Sequence, residues 1–128
     1  MPNVNEKRAW ELRARGYCRS LALELRKLGF RTSPAHFNPG GPAVWGECSF
    51  YAIKDSHTVR VEALRLWSSL PCPEDAVMYR AEDWPEHLGG LRGHKRTGPN
   101  RYARVPFRAS LLAATIEDSA FFDASRMI

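Results

Sequence analysis

Apolar positions in residues 6–28, EKRAWELRARGYCRSLALELRKL, recur at helical spacing. Trp10, Ala14, Tyr17, Leu21, Leu25 and Leu28 fall on one side, which is the stripe of an amphipathic helix with one buried face. Asn3, with Glu6 three residues on, forms a cap-and-return pair at its start, and Asn5 is a competing cap. Gly29 after Lys27-Leu28 supplies the stop. Gly16 weakens the middle by about 1 kcal/mol relative to alanine.

Beyond this helix the pattern changes period. Residues 33–42, SPAHFNPGGP, hold three prolines and two glycines and read as a loop. AVWGECSFYAI and TVRVEA, separated by KDSH, then read as an antiparallel hairpin. Val59, Val61 and Ala63 alternate with Arg60 and Glu62, so one face of the second strand is buried. LRLWSSL either continues the strand or opens a helical turn before Pro71 and Pro73. AVMYRAEDW reads as a third strand closed by Trp84-Pro85. RYARVPF reads as an edge strand, where Pro106 is tolerated, with Ala103, Val105 and Phe107 on one face and Tyr102, Arg104 and Arg108 on the other. ASLLAATIEDSAFF closes the chain as a short helix, with Ser110 as candidate cap. The expected fold class is α+β: an N-terminal helix packed on a small, mostly antiparallel sheet, with a short C-terminal helix.

Composition places this pattern in one domain spanning residues 1–128, with 44% hydrophobic and 26% charged residues, an ordinary globular balance. No apolar run approaches the roughly 20 residues that span a bilayer, and the polar N-terminus lacks the apolar core of a signal peptide. A cytoplasmic protein with no membrane partner is expected. Cys18, Cys48 and Cys72 are odd in number and widely spaced, which fits free thiols in a reducing compartment and gives no zinc-ligand spacing.

The charge is where the sequence becomes specific. The net +5 is built from blocks: residues 1–31 carry +5, residues 32–89 carry −4, residues 90–108 carry +6 and residues 109–128 carry −2. The third block, GLRGHKRTGPNRYARVPFR, has six cations and no acid. Arg92, Lys95, Arg96, Arg101, Arg104 and Arg108, with Tyr102 on the exposed face, combine backbone-tracking cations with an aromatic ring for a base, the pairing that holds single-stranded nucleic acid. The first half of this segment, with Gly93, Gly98 and Pro99, reads as a loop. Its alternative role is to be neutralised by acids of the middle block such as Glu82, Asp83 and Glu86. A second basic feature lies on the first helix, where Arg8, Arg15, Arg19 and Arg26 share a narrow arc. That arc is either a solvated face or a ridge of guanidinium groups for phosphates or an acidic partner.

Several chemistries are disfavoured. Gly93-His-Lys-Arg-Thr-Gly98 has the spacing of a phosphate-binding loop, but Pro99-Asn100 stands where Lys and Ser or Thr are required. No nucleotide cofactor is expected, and no metal. A metal-independent ribonuclease needs a base, an acid and a cation over the phosphate, which His57, His94 and either Lys54 or Arg60 would supply. A metal nuclease would need clustered carboxylates on adjacent strands, for which Glu47 and Glu62 across the hairpin are a candidate pair. Four Trp and four Tyr leave room for a protein interface, which exposure of Trp45, Trp67 or Trp84 would favour.

Residues 49–61, SFYAIKDSHTVRV, resemble the short signature Ser-x-Tyr … Val-Arg-(Val/Ile)-Ser-Asp-His of small proteins from phages and other mobile elements. Ser49, Tyr51, Val59, Arg60 and Val61 match, while Glu62-Ala63-Leu64 replaces Ser-Asp-His. The resemblance implies a mobile-element origin and carries no activity across. It brings in a further expectation, since such elements encode compact proteins that block host defence nucleases, CRISPR complexes included, by direct contact. The expected function is thus a small basic accessory protein that binds nucleic acid or a nucleoprotein complex without catalysis. The alternatives are an anti-defence inhibitor acting through protein contact, with a partner of acidic surface, and a small ribonuclease.

Overall fold

Asn3 decides where the first helix begins. Its side-chain oxygen accepts the Glu6 backbone N–H at 2.8 Å, and its amide donates to the Glu6 carboxylate at 2.7 Å, so Asn3 and not Asn5 is the cap of α1 (Val4–Lys27). The other end closes by a glycine reversal. Gly29 takes φ +98°, its N–H bonds the Arg26 carbonyl, and the Phe30 N–H bonds the Leu25 carbonyl, both at 3.0 Å. This is the paired 5→2 and 6→1 arrangement of a Schellman end.

The computed structural model describes residues 3–42, 44–55, 57–66, 73–83, 95–96 and 98–125. After α1 come β1 (Arg31–Thr32), β2 (His36–Asn38), β3 (Glu47–Lys54), β4 (His57–Leu66), β5 (Glu74–Asp83), β6 (Lys95–Arg96), β7 (Arg101–Arg104) and α2 (Ala109–Ser125). All pairings are antiparallel. β1 and β2 both pair with β3, β3 with β4, β4 with β5, and β6 and β7 both lie on the far side of β5. The class is α+β, an N-terminal helix on an antiparallel sheet with a C-terminal helix.

Strict alternation sends one set of strand residues into the core. Cys48, Phe50 and Ala52 of β3, Val59, Val61 and Ala63 of β4, and Val77 and Tyr79 of β5 meet Trp10, Ala14, Cys18, Leu21 and Leu25 of α1 and Leu112, Ala113 and Ile116 of α2. Tyr17 and Leu28, the remaining members of the expected stripe, are half-buried at its margins. Trp10 is fully buried, and its indole N–H donates to the Gly46 carbonyl at 3.1 Å. Gly46 takes φ +85°, and an added Cβ would lie 2.5 Å from the Asn38 carbonyl oxygen.

Several boundaries differ from the sequence expectation, each for a local reason. The Pro/Gly-rich stretch 33–42 contains β2, which Phe37 anchors by packing against the core. β3 starts only at Glu47, because Gly46 is in the left-handed region. The hairpin turn is tighter than KDSH, since Lys54 and His57 are already paired and Asp55 takes φ +51°. The tail LRL continues β4 to Leu66. Lys95–Arg96 is a short strand inside the expected loop. β7 ends at Arg104, before a cis Val105–Pro106 bond. α2 starts at Ala109, so Ser110 lies within the helix and is not its cap.

Candidate nucleic-acid interface

The basic residues of α1 are positioned by the same periodicity that buries its other side. Arg8, Arg15, Arg19 and Arg26 fall within about 40° on the helical wheel and extend along about 27 Å of its axis. All four are exposed. Arg15 Nε donates to Glu11 at 3.0 Å, and its guanidinium lies 5.6 Å from the centre of the Phe37 ring. Arg26 Nε donates to the Thr32 hydroxyl at 2.7 Å, a neutral partner that leaves its charge uncompensated. Arg8 and Arg19 form no ion pair with another described residue.

Three of these arginines rim a groove. Arg15, Arg19 and Arg26 form one wall, and the turn Ser33-Pro34-Ala35 between β1 and β2 forms the other. Cys18, Ala22 and Phe50, all buried, form the floor of a cavity of about 230 Å³. The turn is fixed to β3: the Ser33 N–H bonds the Tyr51 carbonyl and the Ser33 hydroxyl accepts the Tyr51 N–H, both at 2.8 Å. Among the described residues, no carboxylate lines the groove. It joins a cationic rim to an apolar floor.

The basic segment 90–108 is arranged differently. Arg92 and His94 lie outside the described residues. Lys95 and Arg96 stand in β6 directly across from Asp83 and Glu82 of β5. Arg104 lies 3.1 Å from the Glu74 carboxylate, although that oxygen is not aligned for a hydrogen bond, so the contact is an ion pair by distance alone. Arg101 is half-buried on the inward-facing side of β7, which splits it from Tyr102 and Arg104 on the outer side. Tyr102 is 52% exposed, and Arg108 is exposed with no ion-pair partner among the described residues. Acids of the middle block, carried on β5, thus face three of the segment's positions, Lys95, Arg96 and Arg104. Strands β6 and β7 of this segment lie four strand steps, about 19 Å at the usual spacing, from the β1–β2 edge that faces the arginines of α1.

Of the ribonuclease residues, the structure brings Lys54 and His57 together across the hairpin and sets Arg60 apart. Lys54 and His57 share the helix side of the hairpin by alternation, while Arg60 projects from the other face beside Tyr51. Lys54 Nζ donates to the Leu28 carbonyl and to Glu117, both at 2.6 Å. Arg60 donates to Glu62 at 2.7 Å and to the Tyr51 hydroxyl at 2.6 Å. His94 lies outside the described residues. Glu62 stands opposite Ser49, with Glu47 one diagonal step away on the same face. Burial and the nearby Glu62 charge push the Glu47 carboxyl up. Among the described residues no group of three His, Cys, Asp or Glu is arranged to hold a metal ion.

Cys18 and Cys48 are both buried as free thiols, with Cys18 Sγ 3.4 Å from the Cys48 carbonyl oxygen. The hydrogen bond to the Cys48 side chain and burial push the Cys18 thiol up, so it stays protonated. Trp45 is half-buried beneath Arg65, whose guanidinium lies 4.1 Å from the ring centre. Trp67 and Trp84 are outside the described residues. No helix among the described residues is long and apolar enough to cross a membrane. Compared with known protein families, curated proteins and solved structures, the chain shows no match.

One charged cluster went unnoticed in the sequence. Asp75 of β5, its side chain 12% exposed, accepts from Arg13 Nε and from the Tyr17 hydroxyl, both at 2.8 Å, and lies 3.2 Å from Arg65 Nε. Burial pushes its carboxyl up, but the Arg13 and Tyr17 hydrogen bonds and the Arg13 and Arg65 charges outweigh burial and hold it below the ordinary range. The Arg65 Nε contact is not aligned as a hydrogen bond. That guanidinium donates instead to the Pro73 carbonyl at 2.8 Å. These groups are internally compensated, and the cluster holds β5 against α1.

Proposed function

We propose that this chain is a non-enzymatic module that binds nucleic acid, alone or within a nucleoprotein, through the arginine face of α1. The observation that carries this reading is the line Arg8–Arg15–Arg19–Arg26, in which Glu11 is the one carboxylate engaged among the described residues. A polyanion is the natural complement of such a line, because each phosphate met by an arginine releases condensed counterions. Tyr102, Arg104 and Arg108 on the far edge form a secondary contact, reduced by the acids of β5. An accessory role in a phage or mobile element, as implied by residues 49–61, suits a binding protein of this size.

A salt series tests it. Fluorescence anisotropy with labelled single-stranded DNA and RNA should give a log-affinity against log-salt slope of about −2.8 if four arginines each neutralise a phosphate, at about −0.7 per contact. Changing Arg15, Arg19 and Arg26 to Gln should flatten that slope by about 2. Changing Arg104 and Arg108 should have a smaller effect. No binding at low salt would end the nucleic-acid reading.

The second reading, an anti-defence inhibitor that docks on an acidic protein surface, draws on Leu12 and Leu23. They are 67% and 50% exposed on the same helix as the arginines. It calls for a stoichiometric protein complex with little affinity for free nucleic acid.

A further inference from the structure

We infer that the groove between α1 and the β1–β2 turn receives one unpaired nucleotide, so that the arginine face selects single-stranded over duplex nucleic acid. This rests on the nucleic-acid reading above and narrows it to one class of ligand. A face that recognised phosphates alone would need cations and nothing else. Here the three guanidinium groups stand at the rim, and the space they border is floored by Cys18, Ala22 and Phe50, which have no charge to offer a phosphate. The division matches a nucleotide, with its phosphate on the rim and its base or sugar over the apolar floor. A base held in a duplex stack is not available to enter such a site, and a duplex backbone would contact the rim only.

The dimensions agree. About 230 Å³ is smaller than the roughly 300–1,000 Å³ of pockets that enclose a drug-sized ligand, so the groove serves as one station along a strand and not as an isolated small-molecule site. The walls are held before any ligand arrives. Arg15 is set by Glu11 and the Phe37 ring, Arg26 by the Thr32 hydroxyl, and the Ser33 turn by two hydrogen bonds to Tyr51. Arg19, between the two fixed arginines and itself without an ion pair among the described residues, is the group left to close on the phosphate.

The test compares a labelled dT oligomer of about 12 nucleotides, a blunt duplex of equal length and inorganic polyphosphate as a polyanion without bases. Each is titrated into wild type, Ala35→Trp and Arg19→Gln. Ala35 is exposed on the outer wall, so the tryptophan fills the groove without entering the core, and circular dichroism checks that both variants remain folded. Wild type should bind the single strand at least about tenfold more tightly than duplex or polyphosphate, the order of one base contact. Ala35→Trp should abolish that preference and leave duplex affinity unchanged. Arg19→Gln should weaken all three polyanions. Equal affinity of wild type for single strand and duplex, or an Ala35→Trp variant that keeps the preference, would overturn the inference while the proposed function stands. Failure of wild type to bind any of the three would remove both.

Discussion

Replacing Asp75 with Asn tests how α1 is held to the sheet. The carboxylate accepts two hydrogen bonds at 2.8 Å from α1 and has Arg65 at 3.2 Å. Asparagine keeps the shape but removes the charge. Arg65, its side chain 15% exposed and lying over the Trp10 and Trp45 rings, would then keep the Pro73 carbonyl but lose its one described carboxylate. Removing one member of a fully buried ion pair costs about 3–5 kcal/mol. Arg13 is 42% exposed and regains water, so the expected loss here is about 2–3 kcal/mol. For a chain of this length that is about 6–12 °C in Tm.

The pH dependence follows from the direction of the Asp75 shift. A carboxyl held low in the folded state stabilises fully above its unfolded value of about 3.9, and that stability disappears as pH falls through the lower folded value. Urea unfolding followed by tryptophan fluorescence should therefore show wild type and Asp75→Asn separated at pH 7 and converging only below about pH 4. A difference under about 0.5 kcal/mol at pH 7, or an unchanged difference at pH 2 to 3 under conditions where both still fold, would refute the reasoning.

Two further outcomes are expected. Gly46→Ala must place a Cβ at φ +85° and 2.5 Å from a carbonyl oxygen. It should destabilise by about 3 kcal/mol or more and disturb the fluorescence of Trp10, which bonds the Gly46 carbonyl; thermal melts check this, and a melt superimposable on wild type would count against it. Lys54→Met removes the donor to the Leu28 carbonyl and leaves Glu117 without its cation, an expected loss of about 1–2 kcal/mol, read by chemical denaturation.

Where burial followed a single period, the elements were legible from sequence. Trp10 to Leu28 at helical spacing and Val59-Val61-Ala63 at alternate positions gave α1 and β4 because one face of each meets the core. β1 and β2 were not legible, since strands of two and three residues beside prolines have no periodicity of their own and owe their conformation to pairing with β3. The candidate site divides along similar lines. The arginine arc on α1 follows from helix geometry, and Cys18 and Ala22 beside it were small residues that could have marked a floor. The opposite wall comes from the Ser33 turn, which only the tertiary fold brings across. Along the chain the charge of residues 90–108 stands apart from Glu74, Glu82 and Asp83, so both a free arm and one met by acids such as Glu82 and Asp83 stayed open. The antiparallel pairing of β5 with β6 and β7 removes that separation.

The lengths of the strands also limit how another protein can engage this one. β4 and β5, each ten residues, lie inside the sheet with both sides paired, and β3 is lined along its outer side by β1 and β2. Among the described residues, the strands left at the margins, β1, β2, β6 and β7, have two, three, two and four residues. An incoming chain that extended the sheet along one of these strands would find no more than four consecutive positions, at the short end of the roughly three to ten residues usual for a strand. Among the described residues, neither margin offers a long free edge for strand addition or for stacking of copies edge to edge.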